Sequence, residues 1–590
     1  MITNHSFLSV SEMIAKVSEL DSDCGGLLKD LHDLYLSPIA NTNPFNLNNF
    51  DLYMKDHPDY AINIELVAHG YPLHLKNRDT TKLCKTVRNI VKDKRELKGI
   101  LKRMVKEAAQ GFISGTDKAM HYTLNLLCVP KKDAKTNLMT LIRVARHGSY
   151  STRSTVSIND NIDPEASKID SLPNIRKYVE ILEQYAYVSL RDLRDAFRQL
   201  GLAKADCDYI QYVLFGMNFR DNRQAYGVAS AAANCQHFAE LLIWICEHNF
   251  LTPEQTNRIL VHIDDFLIAA HSQTECQIMT NKFDQMCDDL SVAVSHEKDE
   301  NWIQKGVVHG FGFDLTKNPK TVFIPDHKFI ELVQALAWCI EHRYVTGEAL
   351  ESICGKLMHW AQFRRYAKVL CYRMLRFIHT YIRKRKHLKR SVFYLSDEII
   401  LDMRFWLKYA WYMREVTMAS IIYEPSITLV ASSDASGFGA GFVVGEHWAH
   451  YLFETKPNKY GITHSNMSIN YQEAHAVIMF LHNYRHLLSG RSCLIFVDNT
   501  SVLWSIVKNW ATSPKLMEYI HEIVLLLCIY RINLRVEHIP TQINSFSDAL
   551  SRRELTRFHR MVEEMGFEMN EQPTPLQYYS HLTLIREGLR

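Results

Sequence analysis

The stretch Val261–Ala270, VHIDDFLIAA, constrains this chain more than any other. Two apolar runs flank the adjacent carboxylates Asp264 and Asp265, so strand, tight turn and strand are expected. Like charges side by side in an apolar setting raise one pKa and resist ionisation. A divalent cation removes that cost, because hard metals take carboxylate oxygens. A lone Asp-Asp pair is equally the content of a polar hairpin turn, and the surrounding sequence has to decide.

A chain of 590 residues predicts roughly three or four domains at about 150 residues each. Hydrophobic content of 47% and charged content of 23% are ordinary for a globular protein. The formal net charge is only +3, so partners must be argued from local clusters. None of the 13 cysteines forms a C-x-x-C pair, which leaves a zinc ribbon, a zinc knuckle and a thioredoxin-like site unsupported. No basic start precedes an apolar run, and the longest apolar runs, such as Ile523–Tyr530, are far short of a membrane span. The expectation is an intracellular protein of cytoplasm or nucleus with no membrane partner.

Taken in order, residues 1–95 mix helical and loop patterns around an Asn/Pro-rich break at Ile39–Asn49. Basic residues recur at helical spacing over Thr81–Glu107, as on a solvated face or one that contacts phosphates. LNLLCVPKK (Leu124–Lys132) and TLIRVAR (Thr140–Arg146) read as two basic strands. Lys131, Lys132, Arg143 and Arg146 on them form a candidate triphosphate or template grip. AYVSLRDLRDAFRQL (Ala186–Leu200) puts Asp192 at a strand end and Phe197 five residues on. In YGVASAAANCQHF (Tyr226–Phe238), Gly227 and small residues lead to Gln236 and an apolar helix. Small residues admit a base pair, or simply a neighbouring helix. SVAVSHEK (Ser291–Lys298) reads as a strand ending in lysine, and VVHGFGFD (Val307–Asp314) as a glycine-bearing hairpin.

The order of these pieces resembles the palm of a reverse transcriptase. DLRDAF looks like its first motif, YGVASAAANCQ its second, HIDD its third and FGFD its primer-grip hairpin, with VPKK and IRVAR as fingers. The resemblance implies that Asp192, Asp264 and Asp265 hold two Mg²⁺ (or Mn²⁺) ions for nucleotidyl transfer. It implies that Phe197 blocks a ribose 2′-hydroxyl and that Lys298 protonates pyrophosphate. Gly227, Gln236, Lys131, Lys132 and Arg143 are the implied substrate contacts. One departure is His262, where the family usually carries Tyr or Phe two residues before the aspartate pair.

Further on, helical patterning at Gly347–Arg365 and Leu395–Tyr412 flanks RKRKHLKR (Arg383–Arg390), six basic residues in eight. That run fits a solvated face, a nucleic-acid contact or a nuclear localisation signal. Asp434 then follows an alternating strand, Glu473 opens a helix (NYQEAHAV), Asp498 ends a strand (LIFVDN) and Asp548 lies on a helix (SFSDALSR). Acids on strand, helix, strand and helix resemble a ribonuclease H active site. That likeness implies two more metal ions and a water that cuts RNA paired with DNA. The histidine-bearing loop common in that family is short here, and His538 on the preceding strand is assigned no role.

The implied fold is a multidomain α/β protein: a right-hand polymerase with fingers, α+β palm and thumb, a helical connection, and a mixed-sheet ribonuclease H-like domain. The implied boundaries are an N-terminal extension (1–95), fingers and palm (96–315), thumb and connection (316–424), the ribonuclease H-like domain (425–553) and a tail (554–590). The implied activity is RNA-directed DNA polymerase with hybrid ribonuclease H. Its partners are an RNA template, a DNA primer, an RNA–DNA hybrid and dNTPs. The segments KEAAQGFISG, ALESICGKLMHWAQ and DALSR look closest to DIRS-type, tyrosine-recombinase retrotransposons. No D-T/S-G protease signature and no integrase zinc motif occurs. The alternative is a domesticated, non-catalytic nucleic-acid-binding protein with the same fold.

Overall fold

The computed structural model describes residues 9–78, 93–118, 122, 124–131, 141–151, 156–364, 366–383, 390–453 and 467–572. Two compact units, Met1–Gln304 and Lys305–Arg590, make up the chain, and each mixes helices with sheet.

In the first unit, α1 (Lys94–Ala109) begins at Asp93, whose side chain accepts from the Glu96 N–H and caps the helix. Its inward face carries Ile100, Leu101, Met104 and Ala108, at the spacing of an amphipathic helix. These pack with Met13, Leu28 and Leu31 from the N-terminal helices and with Tyr212, Leu214 and Phe219. Phe45, Phe50 and Val67 join a second core with Phe238, Phe266 and Phe283. The expected boundary between residues 95 and 96 therefore falls inside a shared core.

Next come β1 (Tyr187–Asp192), α2 (Ala196–Gln199), α3 (Ala229–Asn249), β2 (Ile259–His262), β3 (Asp265–Ala270), α4 (Gln273–Asp289) and β4 (Glu300–Ile303). The four strands form one antiparallel sheet in the order β2-β3-β1-β4. The strand expected at Ser291–Lys298 does not form. The segment instead makes a single antiparallel Leu193–Val294 bridge past the end of β1, with a Ser295 N–H bond to the Asp192 carbonyl (2.8 Å), then turns as a 3-10 helix over His296–Lys298.

The second unit opens on the hairpin β5 (Lys305–Val308) and β6 (Phe311–Asp314). Phe311 and Phe313 point into the core. After helices between Asp326 and Met413 come β7 (Leu429–Ala435), β8 (Gly439–Val444), β9 (His447–Leu452), α5 (Ile469–Asn483), β10 (Ser492–Val497), α6 (Pro514–Ile529), β11 (Asn533–His538), α7 (Ser545–Ser551), α8 (Leu555–Glu564) and β12 (Asn570–Glu571). The sheet order is β11-β10-β7-β8-β9-β12, antiparallel through β7-β8-β9 and parallel for β7-β10-β11. Helix α5 is buried from Gln472 to Asn483, as suits a helix enclosed on all sides. Leu332, Leu350 and Trp406 of the earlier helices share one core with Phe442, Phe480, Ile495 and Ile520, so the expected 424/425 boundary also crosses a continuous core. The tail given no role from sequence supplies α8 and β12; Phe558 packs on Trp448, and β12 pairs with β9. Among the described residues no helix is long and apolar enough to cross a membrane.

Candidate active sites

Backbone pairing builds the first site. In the β1–β3 register Asp192 stands opposite Asp265. Asp264 occupies the turn between β2 and β3, and its carbonyl accepts from the Leu193 N–H at 3.0 Å, which ties the turn to the end of β1. The turn needs Ile263 at φ 62°, a left-handed conformation costly for a β-branched residue. Gln236 on α3 holds it there. Its Oε1 accepts from the Ile263 N–H (2.7 Å), and its Nε2 donates to Glu240 (2.8 Å). Gln236 is buried, so its amide oxygen serves the turn while its amide nitrogen is fixed by Glu240 on its own helix.

Crowding marks the electrostatics. Burial, then the Asp264 and Asp192 charges, push the Asp265 carboxyl up to about 7 against the opposing pull of Lys298. Lys298 Nζ donates to Asp192 Oδ1 at 2.6 Å, so the lysine reaches the cluster from a 3-10 turn. His262 flanks the turn half-buried, and burial lowers its pKa.

The second site lies where parallel strands end. β7 and β10 pair Ser432 with Phe496, and Asp434 and Asp498 each lie two residues past that pair. Glu473 comes from α5, and its Oε1 accepts from the Ala435 N–H at 3.1 Å. Oxygens of Asp434, Glu473 and Asp498 all lie within 4.8 Å of one another, which among the described residues is the one such group of three. Glu473 Oε2 is buried with no hydrogen-bond partner. Burial pushes Asp434 up to about 7; the Asp498 and Asp548 charges add to that, and the Ser551 hydroxyl opposes it. Burial also pushes Glu473 well above the usual carboxylate range, with Asp434 and Asp498 contributing. An oxygen-only donor set with an orphaned, buried oxygen fits a hard divalent cation.

Asp548 stands apart from that trio. It faces Asp434 closely enough to raise its pKa, but its own oxygens are taken by Arg552 (2.6 Å) and Arg557 (3.1 Å). Helix α7 can lie this close because residue 441 is glycine: a Cβ there would come within 2.4 Å of the Ser547 carbonyl. Sequence reasoning missed Ser551, which donates to Asp434 at 2.6 Å, and Thr541, which donates to Asp498 at 2.9 Å. The i, i+4 pairing of Asp548 with Arg552 was legible in DALSR.

The remaining expected contacts divide. Phe197, half-buried on α2, meets Tyr226 edge-on at 4.8 Å. Gly227, at φ 96°, lies where a Cβ would come within 1.9 Å of the Arg146 carbonyl, which gives its glycine a packing reason. Arg146 does not belong to a grip: it is fully buried, bound to Asp221 through two 2.9 Å bonds and to Glu107 at 2.8 Å. Lys132 lies outside the described residues, as do the side chains of Lys131 and Arg143 and residues 384–389 of the basic run. His538 ends β11 opposite Val497.

No family model matches the sequence, and no curated protein matches it. Among solved structures, the chain is similar to a foamy viral protease-reverse transcriptase dRH in complex with double-stranded DNA: 12% identity, 84% of this chain and 82% of that chain, TM-score 0.42. A foamy viral protease-reverse transcriptase with double-stranded DNA gives 13% identity, 85% and 99% coverage and TM-score 0.41. The same kind of protein with an RNA/DNA hybrid gives 12% identity, 86% and 86% coverage and TM-score 0.37. At these scores no residue role is carried across.

Proposed function

We propose that the chain is an RNA-directed DNA polymerase joined to a hybrid ribonuclease H, the replication enzyme of a retroelement. The observation that carries this reading is that carboxylates distant in sequence converge twice, once in each compact unit. The motif order then assigns the first convergence to polymerisation and the second to hybrid cleavage.

Two Mg²⁺ or Mn²⁺ ions at each site, when bound, would supply charge neutralisation of phosphate oxygens and activation of the attacking hydroxyl or water. Asp192, Asp264 and Asp265 would hold one pair. Lys298, already on Asp192, stands ready to give a proton to the leaving pyrophosphate. Phe197 closes the space beside the sugar against a 2′-hydroxyl. Gly227 lets α3 begin close to the end of the Arg146 strand, and Lys131, Lys132 and Arg143 meet the triphosphate. Asp434, Glu473 and Asp498 would hold the second pair, with Asp548 beside them, and there the substrate is RNA in an RNA–DNA hybrid. The finer placement beside DIRS-type elements rests on KEAAQGFISG, ALESICGKLMHWAQ and DALSR alone.

The test is primer extension on poly(rA)/oligo(dT) with Mg²⁺ or Mn²⁺. Wild type should extend, and Asp264→Asn should lose about 10³-fold in rate. A folded wild type that binds the primer–template but never extends it makes the chain a non-catalytic nucleic-acid binder instead.

A further inference from the structure

Helix α2 has four residues and carries Phe197. A single turn pays nucleation without propagation, so it has little stability of its own. Its neighbours hold it at both ends. On the N-terminal side Asp195 sits at φ 48°, and its carboxylate takes Arg103 Nη1 and Nη2 at 3.2 Å each, with Lys106 Nζ at 3.9 Å. On the C-terminal side the buried Arg198 donates to Glu107 at 2.9 Å and lies 2.8 Å from Asp221. Its other guanidinium nitrogen donates to the carbonyls of Arg223 (3.3 Å) and Gln224 (3.1 Å). Arg103 Nε donates to Glu107 at 2.7 Å and closes the loop.

Arg103, Lys106 and Glu107 stand at i, i+3 and i+4 of α1, so one face of one turn grips both ends of α2. Burial alone would raise the Glu107 carboxyl, but the Arg198 and Arg146 guanidiniums overcome it and hold it well below the usual range. Glu107 is therefore charged at neutral pH; it is buried with Arg198 and Asp221, while Arg103 and Asp195 are partly exposed.

We infer that the Arg103–Glu107 turn of α1 is the positioning element for Phe197 and sets how strictly deoxynucleotides are chosen over ribonucleotides. The inference rests on the polymerase reading above. Steric rejection of one hydroxyl depends on ring placement within about 1 Å, a displacement that a loosened one-turn helix readily allows.

The experiment compares single-nucleotide insertion of dTTP and rUTP on poly(rA)/oligo(dT), as the ratio of their kcat/KM values. Phe197→Ala should lower that ratio on the order of 100-fold. Arg103→Gln should lower it roughly tenfold, carried by a lower KM for rUTP. The double variant should match Phe197→Ala alone, because no ring remains to be placed. Arg103→Lys, which keeps a cation on Asp195, should recover part of the loss. Arg103 is chosen because its side chain is 20% exposed, whereas Glu107→Gln leaves buried guanidiniums unpaired. An unchanged ratio in Arg103→Gln, or a further drop in the double variant, overturns the positioning role while leaving the gate intact. An unchanged ratio in Phe197→Ala overturns the gate, and the inference with it.

Discussion

The two carboxylate clusters solve the same electrostatic problem differently. In the second unit Asp434, Glu473 and Asp498 crowd within 4.8 Å, and one buried Glu473 oxygen has no partner. In the first unit the Lys298 ammonium already sits on Asp192, 2.6 Å away. One cluster leaves its negative charge for a cation to neutralise, and the other carries part of its counter-charge in its own chain. The second unit does place cations nearby, but Arg552 and Arg557 bind Asp548, outside the close trio. Under the proposed function the difference fits two tasks: a site that delivers a proton to a leaving group would keep an ammonium inside, and one that activates water would not.

That contrast can be broken by removing the lysine from the first site and the arginines' partner from the second. Lys298→Ala should slow primer extension about 100-fold while hybrid cleavage stays at the wild-type rate. Extension at the wild-type rate would show the lysine to be a surface ion pair. The Asp548→Asn substitution should slow hybrid cleavage only roughly tenfold, because Asp548 acts from beside the trio. A loss as deep as that of Asp498→Asn would place it among the principal ligands.

The supports of the two sites also differ, and here the expected effect is smallest. Gln236, which holds the Ile263 turn, does not titrate. Helix α5, which carries Glu473, contains His482, whose pKa burial lowers to about 4, with Arg485 adding to the shift. An unfolded histidine titrates near 6.5, so acid favours the unfolded state. The stability this neutral histidine contributes is present above pH 6.5 and is lost as pH falls toward 4, up to about 3 kcal/mol. Denaturant midpoints between pH 7 and 4.5 should fall in wild type and fall less in His482→Gln. Parallel slopes would remove His482 as the acid-sensitive support.

Much of both sites could be read from sequence because apolar, strand-forming runs bounded by acids recur in a fixed order along the chain. Asp192 closes β1, Asp265 opens β3 and Asp498 follows β10, so each acid stands at a strand end. The pieces that could not be read depend on partners far apart in the chain. Arg146 looked like a basic strand residue, and only the tertiary fold turns it inward onto Glu107 and Asp221, 39 and 75 residues away. The grip of Arg103 on Asp195 spans 92 residues. SVAVSHEK reads as a strand ending in Lys298, yet Ser291 takes φ 58°, only Val294 bridges antiparallel to Leu193 past the end of β1, and Lys298 lies on a 3-10 turn. Shared cores are equally invisible in sequence: apolar side chains from both sides of residues 95 and 424 pack together.

The central claim is that the chain holds two separable active sites. Extension of oligo(dT) on poly(rA) and cleavage of an RNA–DNA hybrid, measured on the same preparations of wild type, Asp264→Asn and Asp498→Asn, test it directly. Asp264→Asn should lose extension and keep cleavage, and Asp498→Asn should do the reverse. Loss of both activities in either variant, with its melting temperature unchanged, would contradict the account.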